Sequence, residues 1–194
     1  MAISTGTKKI KTAVFISGTG SNLENLIKFS KLVKSPISVE QIISDNPKAK
    51  GLKFGKYFKI KTAVYNFRNI NKAEKEILAD LRKKKINLIC LAGFMKILSK
   101  KFIQNFRGKI INIHPSLLPK YKGLNTHQRV IKNKENFSGC TVHIVNSKLD
   151  AGKIILQKKV KISKKENSKS LARKILIQEH KLYPRAIKKL LSSL

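Results

Sequence analysis

The chain has 194 residues, of which 41% are hydrophobic, so it is long and apolar enough to form a single domain with a continuous core. Its formal net charge is +33, from 43 Lys and Arg residues against 10 Asp and Glu. No apolar run is long enough to cross a membrane or to form the core of a secretion signal, which predicts a cytoplasmic protein without a membrane partner.

Apolar runs of strand length alternate along the chain with segments of helical spacing. In chain order the predicted elements are strand 12–17, helix 21–33, strand 39–44, helix 47–57, strand 62–65, helix 71–85, strand 87–92, strand 109–114, strand 138–145, strand 153–162 and helix 168–191. This alternation is typical of a mainly parallel sheet covered by helices on both faces. The last two strands, joined by the turn 146–152, favour a mixed sheet, and Pro184 is expected to kink the last helix. The sequence therefore predicts one α/β domain over residues 1–194.

The first predicted strand ends in the sequence S-G-T-G-S-N-L-E, residues 17–24. Gly18 and Gly20 would let the backbone approach an anion, and the amides and dipole at the start of the next helix favour a phosphate there. Ser21 is expected to cap that helix, and the same residues fit an ordinary capping box with Glu24. The dinucleotide fingerprint is incomplete because a leucine stands where its third glycine belongs, so a small phosphorylated ligand is the better interpretation.

The fifth predicted strand carries two polar residues just before Pro115 stops it. Asn112 and His114 are two residues apart, so they face the same side, at the carboxyl end of a strand where open α/β sheets bind ligands. His114 can exchange protons near neutral pH, and Asn112 can donate a hydrogen bond to a developing oxyanion. A lone strand histidine is more often a core residue, but the neighbouring amide and the strand end favour a catalytic site here.

Asp150, in the turn between the last two strands, is the candidate carboxylate partner of His114. Its charge would raise the pKa of His114 and hold the ring in place, although a simple turn former fits the local sequence equally well. His127, at a predicted helix start in N-T-H-Q-R, and His143, within T-V-H-I-V, fit either packing or support of the site.

The cysteines and histidines indicate neither a disulfide framework nor a metal site. Cys90 and Cys140 both lie in apolar sequence, which predicts reduced thiols packed in the core. The four histidines and two cysteines form no H-E-x-x-H or C-x-x-C pattern, so no metal is predicted.

The excess of positive charge suggests a nucleic-acid partner, but the pattern of basic residues argues against a specific one. Only six of the 43 basic residues are arginine, whose planar fork suits bases and phosphates, and the lysines are spread over the whole chain. No basic stretch is interleaved with aromatic residues as a stacking surface requires. We therefore expect small anionic substrates and no specific nucleic acid.

Several motifs recur in a known order along nearly the whole chain. They are I-S-G-T-G-S-N-L at 16–23, L-A-G-F-M-K-I-L at 91–98 and N-I-H-P-S-L-L-P-K-Y at 112–121, followed by T-V-H-I-V, L-D-A-G and Q-E-H-K-L-Y-P. In these motifs the chain resembles the phosphoribosylglycinamide formyltransferases, folate-dependent enzymes of purine biosynthesis. The resemblance implies a Rossmann-like formyltransferase fold.

The resemblance also implies a reaction. The formyl group of 10-formyltetrahydrofolate, a co-substrate, would pass to the primary amine of glycinamide ribonucleotide by direct attack, without a covalent enzyme intermediate or a metal. Asn112, His114 and Asp150 would be the catalytic residues. Residues 1–100 would form a phosphate-binding half, and residues 101–194 a catalytic and folate-binding half.

The binding residues implied by the resemblance fall into two groups. Those for the ribonucleotide are Gly18, Thr19, Gly20, Ser21, Asn22 and Glu179. Those for the folate are Met95, Lys96, Ile97, Leu98, Asn112, Asn146, Ser147, Lys148, Leu149 and Asp150. The oligomeric state, monomer or homodimer, is left open.

Two other functions fit parts of the sequence. A methionyl-tRNA formyltransferase-like enzyme shares N-I-H-P-S-L-L-P, but its early loop is not G-x-G-S-N, and it normally has a tRNA-binding domain for which no residues remain after 168–191. A basic RNA-binding protein is favoured by the charge alone. Nucleic-acid binding that survives physiological salt would distinguish this last case from an enzyme.

Overall fold

A computed structural model describes residues 9–193, which form seven strands, six α-helices and one short 3-10 helix. In chain order these are β1 Ile10–Ile16, α1 Ser21–Ser30, β2 Ile37–Ser44, the 3-10 helix Lys50–Leu52, α2 Lys53–Phe58, β3 Lys61–Val64, α3 Ile70–Lys83, β4 Leu88–Leu91, α4 Lys100–Asn105, β5 Lys109–His114, α5 Thr126–Lys132, β6 Phe137–Ile144, β7 Ile154–Lys161 and α6 Ser168–Leu191. None of the helices in this part of the chain has both the length and the apolar content needed to cross a bilayer.

The strands of residues 9–193 make one sheet in the order β3-β2-β1-β4-β5-β6-β7. The pairs from β3 to β5 are parallel, whereas β6 and β7 pair antiparallel to their neighbours. The predicted fold class, a mainly parallel but mixed sheet flanked by helices, is confirmed. From β1 the chain adds β2 and β3 toward one edge of the sheet, and it then returns to add β4 on the other side of β1. Open α/β sheets bind ligands at the carboxyl ends of the strands beside such a reversal.

The two faces of the sheet carry separate cores because neighbouring residues of a strand point in opposite directions. In β1, Val14 and Ile16 pack in the cluster that includes α1 and α6, whereas Ala13 and Phe15 pack in the cluster that includes α3 and α4. All four side chains are fully buried. Cys90 and Cys140 are buried and free, as predicted.

The start of α1 differs from the prediction. Gly20, with a left-handed φ of 77°, is the N-cap residue, and no side chain caps this helix, so the prediction of a Ser21 cap is wrong. Glu24 pairs with Lys28 at 2.7 Å rather than completing a capping box. A Cβ at Gly20 would lie 2.7 Å from the Cα of Gly51, so a close approach of two backbones requires glycine there.

Two other segments also differ from the predicted elements. The helix expected at 47–57 is instead the 3-10 helix followed by the short α2. Helix α4 was not predicted, although its N-cap Ser99 accepts a hydrogen bond from the Phe102 amide. The Ser99 hydroxyl and amide both bond to Glu74, a carboxylate that is 5% exposed.

Helix α6 continues through Pro184. Proline has no N–H to donate to the carbonyl one turn earlier, that of His180. Asn25 Nδ2 donates to this carbonyl at 2.8 Å, so the group that the proline leaves without a helical partner is satisfied by α1.

Candidate active site

A pocket of about 950 Å³ opens at the carboxyl ends of β4 and β5. Its walls come from the segments 91–98, 112–115, 123–128 and 143–150, together with parts of α1 and α6. Both proposed halves of the chain contribute to it. The separate roles of these halves, phosphate binding for residues 1–100 and catalysis and folate binding for residues 101–194, stay predictions. Concave, largely apolar sites with a few polar groups are typical of small-molecule binding.

Asn112 and His114 lie side by side on the wall of this pocket, because both belong to β5 and point the same way. Pro115 follows immediately and has no N–H for the sheet, so the strand ends where the polar side chains reach the pocket. His114 is only 5% exposed.

Asp150 joins them from the loop between β6 and β7. Its φ of 45° lies in the left-handed region, which aspartate tolerates better than most residues. Its Oδ2 lies 3.4 Å from His114 Nδ1, and its Oδ1 accepts a hydrogen bond from Asn112 Nδ2 at 3.4 Å. The structure thus brings the three predicted catalytic residues together, while their chemical roles stay predictions.

The protonation of Asp150 follows from its partners. Burial by itself raises the pKa of this carboxyl. The nearby His143, the Gly123 amide that donates to Oδ2 at 2.9 Å, and the charge of His114 together hold the pKa below its usual value. Asp150 is therefore ionised at neutral pH, as a partner for an imidazolium must be.

The pKa of His114 is lowered, chiefly because burial disfavours its charged form. The Tyr121 carbonyl, 2.8 Å from Nε2, and the charge of Asp150 act in the opposite direction. Asp150 does favour the imidazolium, as expected from the sequence, but burial outweighs it in the free protein.

His143 also belongs to the site, a point that the sequence left undecided. It lies on β6 directly opposite Asn112 and is 2% exposed. Asn112 Nδ2 lies 3.3 Å from His143 Nε2, which is 3.6 Å from Asp150. His143 Nδ1 lies 3.0 Å from the Ile144 carbonyl, an oxygen that can only accept a hydrogen bond, so Nδ1 carries a hydrogen. The strand pattern of 138–145 was visible in the sequence, but its register against β5 was not.

His127 lines the same pocket near the start of α5. Among the contacts of residues 9–193, its buried Nδ1 has no hydrogen-bond partner. Burial and then the charge of His114 lower its pKa, so it stands in the pocket as a neutral polar group.

The residues predicted to bind the ribonucleotide lie at the adjoining end of the sheet. Gly18–Ser21 connect β1 to α1, and the Gly18 carbonyl accepts from the Gly51 amide at 3.0 Å. Of this group, Asn22 and Glu179 line the pocket itself, whereas residues 18–21 do not. Asn22 Nδ2 donates to Glu179 Oε2 at 2.7 Å, and burial raises the pKa of Glu179 against the effect of that bond.

The residues predicted to bind folate all line the pocket, at 95–98 and 146–150. Met95, Ile97 and Leu149 are more than half exposed at 59%, 68% and 51% and line the same pocket, so they leave apolar surface there for a ligand. Over residues 9–193, no cluster of three or more His, Cys, Asp or Glu side chains could hold a metal ion.

Residues 10–187 of the sequence match the protein family described as formyl transferase. The chain is 44% identical over 181 residues to phosphoribosylglycinamide formyltransferase of Haemophilus influenzae, covering 92% of this chain and 85% of that protein. It is 39% identical over 183 residues to the human trifunctional purine biosynthetic protein adenosine-3, covering 93% of this chain but only 18% of the human protein. The chain therefore spans less than a fifth of that longer relative.

Solved structures of similar proteins share the fold. The crystal structure of phosphoribosylglycinamide formyltransferase from Anaplasma phagocytophilum is 42% identical, with a TM-score of 0.87 and coverage of 93% of this chain and 86% of that one. That from Brucella melitensis is 40% identical, with a TM-score of 0.89 and coverage of 94% and 96%.

Proposed function

The chain belongs to the formyl transferase family, and on this premise we propose that it transfers the formyl group of 10-formyltetrahydrofolate to the amine of glycinamide ribonucleotide, a step of purine biosynthesis. The observation that carries the proposal is the cluster of Asn112, His114 and Asp150 on the wall of one large pocket. That pocket also contains the Asn22–Glu179 pair, so two separate groups of polar side chains lie within one cavity.

The reaction needs an oxyanion stabiliser and a proton carrier. The amine nitrogen bonds to the formyl carbon, and the bond from that carbon to the folate nitrogen then breaks. The amine loses a proton and the folate nitrogen gains one, so no net proton is consumed. Asn112 Nδ2 and His114 stabilise the oxyanion of the tetrahedral intermediate. His114 also carries the proton from the amine to the folate nitrogen, and Asp150 stabilises the imidazolium form of His114.

The two substrates would occupy opposite parts of the site. The phosphate of the ribonucleotide binds at Gly18–Ser21, where the amides and dipole of α1 favour an anion, and Glu179 reaches the ribose or the amide. The folate lies between 95–98 and 146–150, where Met95 and Leu149 offer apolar surface. The net charge of +33 favours the approach of both anionic substrates.

Small molecules are the only partners that we propose, with folate as a consumed co-substrate and no metal. The methionyl-tRNA and RNA-binding alternatives gain no support from the relatives described above, which are named for purine biosynthesis or for phosphoribosylglycinamide formyl transfer. The cytoplasmic location and the choice between monomer and homodimer stay predictions.

An absorbance assay of folate turnover tests the proposal. We expect turnover with glycinamide ribonucleotide as acceptor, and none with methionyl-tRNA or without an acceptor. Turnover with the tRNA instead, or no turnover with the ribonucleotide in a folded sample, would overturn it.

A further inference from the structure

One short backbone segment contacts two of the proposed catalytic residues. The carbonyl of Tyr121 lies 2.8 Å from His114 Nε2, and the amide of Gly123 donates to Asp150 Oδ2 at 2.9 Å. The position of the segment 121–123 therefore affects both partners of the His114–Asp150 pair.

The Tyr121 carbonyl also decides which nitrogen of His114 exchanges a proton. A carbonyl oxygen only accepts hydrogen bonds, so Nε2 of His114 carries a hydrogen. Nδ1, which lies 3.4 Å from Asp150 Oδ2, is then the nitrogen that gains and loses the proton. The charged or titratable side chains acting on this ring are Asp150, His143, His127 and Arg129.

The backbone of Tyr121 has an unusual conformation for a large side chain, with a left-handed φ of 57°. Its side chain is held from outside the pocket. The Tyr121 hydroxyl donates to Glu135 Oε1 at 2.8 Å and accepts from Asn133 Nδ2 at 3.0 Å. The Arg129 guanidinium lies 5.4 Å from the ring centroid and donates to the Lys122 carbonyl at 2.6 Å.

None of these anchoring side chains lines the pocket that contains His114 and Asp150. We propose that Tyr121 is a positioning residue for formyl transfer, whose hydroxyl bond to Glu135 holds its own carbonyl on His114 Nε2. The role in catalysis rests on the proposed function. The effect on the His114 ring is independent of it.

Tyr121→Phe removes the hydroxyl and keeps the ring, so the variant should fold. We expect kcat to fall about 10-fold or more, toward the ~100-fold cost of a 1 Å misplacement in an active site. KM for either substrate should change less than about threefold, because the lost contact serves the transition state. In NMR titrations without substrate, the His114 pKa should move down, since the displaced carbonyl favours the imidazolium.

Lys120→Met is the matched control. Lys120 Nζ bonds to the same Glu135 Oε1 at 3.0 Å from an exposed position, but the carbonyl that lies 2.8 Å from His114 Nε2 is that of Tyr121. This variant should keep the wild-type kcat and His114 titration. Glu135→Ala should reproduce the loss of Tyr121→Phe, and the double variant should lose no more than either single one, because both changes break the same bond.

Wild-type kcat together with an unmoved His114 titration in Tyr121→Phe would refute the positioning role. So would an equal loss in Lys120→Met, or additive losses in the double variant. A wild-type protein that is inactive with glycinamide ribonucleotide would refute the proposed function instead, and the substrate-free titration would still decide on Tyr121.

Discussion

Asp150→Asn replaces a carboxylate by an amide of nearly the same shape in the centre of the proposed catalytic cluster. The Asp150 side chain is only 8% exposed, and its Oδ2 lies 3.4 Å from His114 Nδ1. Two unit charges at this separation attract by about 5 kcal/mol at an effective dielectric constant of about 20. Desolvation of the two groups offsets part of that attraction. We therefore expect turnover to fall at least ~100-fold, which corresponds to about 2.7 kcal/mol, roughly half of the attraction.

The same substitution should change the pH dependence in a defined direction. Burial lowers the pKa of His114, and the charge of Asp150 opposes that effect. Removing the charge lowers the pKa further, so the imidazolium is lost at a lower pH. If formyl transfer requires the imidazolium, the rate of the variant falls with rising pH earlier than that of the wild type. Binding of the substrates should suffer less than turnover.

The measurement is the formyl-transfer rate across pH, beside both dissociation constants and an NMR titration of His114. Asp80→Asn is a suitable control, because Asp80 bonds to Gln41 and Tyr65 outside the pocket. It should affect stability and leave turnover unchanged. A near-normal rate in Asp150→Asn together with an unmoved His114 titration would reduce Asp150 to a turn residue.

Three further substitutions test other parts of the site. His114→Ala should lower turnover at least ~100-fold, the usual contribution of a general acid or base, with an unchanged circular dichroism spectrum; wild-type turnover would exclude the catalytic role. Ser21→Asp should weaken ribonucleotide binding by about 10-fold through repulsion at the start of α1, as measured by calorimetry; equal weakening of folate binding would indicate misfolding. Glu179→Gln should weaken ribonucleotide binding but raise the free energy of unfolding at neutral pH by about 1 kcal/mol, because a buried charge is removed. Burial raises the folded-state pKa of Glu179, so the wild type loses stability as pH rises above the ordinary pKa of a glutamate. The stability that Glu179→Gln gains over the wild type, measured by thermal unfolding, should therefore be smaller at pH 5 than at pH 8. An equal gain at both pH values would contradict this reasoning.

Local sequence determined the class of fold and the position of the strand that carries Asn112 and His114. Alternating apolar and helical segments predict a covered, mainly parallel sheet, because strands that alternate with helices along the chain form βαβ units. The spacing of two residues between Asn112 and His114 put them on one face, and Pro115 marked the end of the strand. The helix starts were less certain. Ser21 looked like a cap, but contact with Gly51 across the fold requires a glycine in a left-handed conformation one position earlier.

Only the tertiary structure decided which side chains meet His114. Asp150 fitted a turn and a catalytic partner equally well in the sequence, and the packing of its loop against Gly123 turned the carboxylate toward His114. His143 joined the site because β6 pairs with β5 in the register that sets it opposite Asn112. The contact of the Tyr121 carbonyl with His114 could not be predicted from the sequence, since every residue has a backbone carbonyl. Register and loop conformation arise from contacts between segments distant along the chain, and local periodicity carries no information about which of those contacts will form.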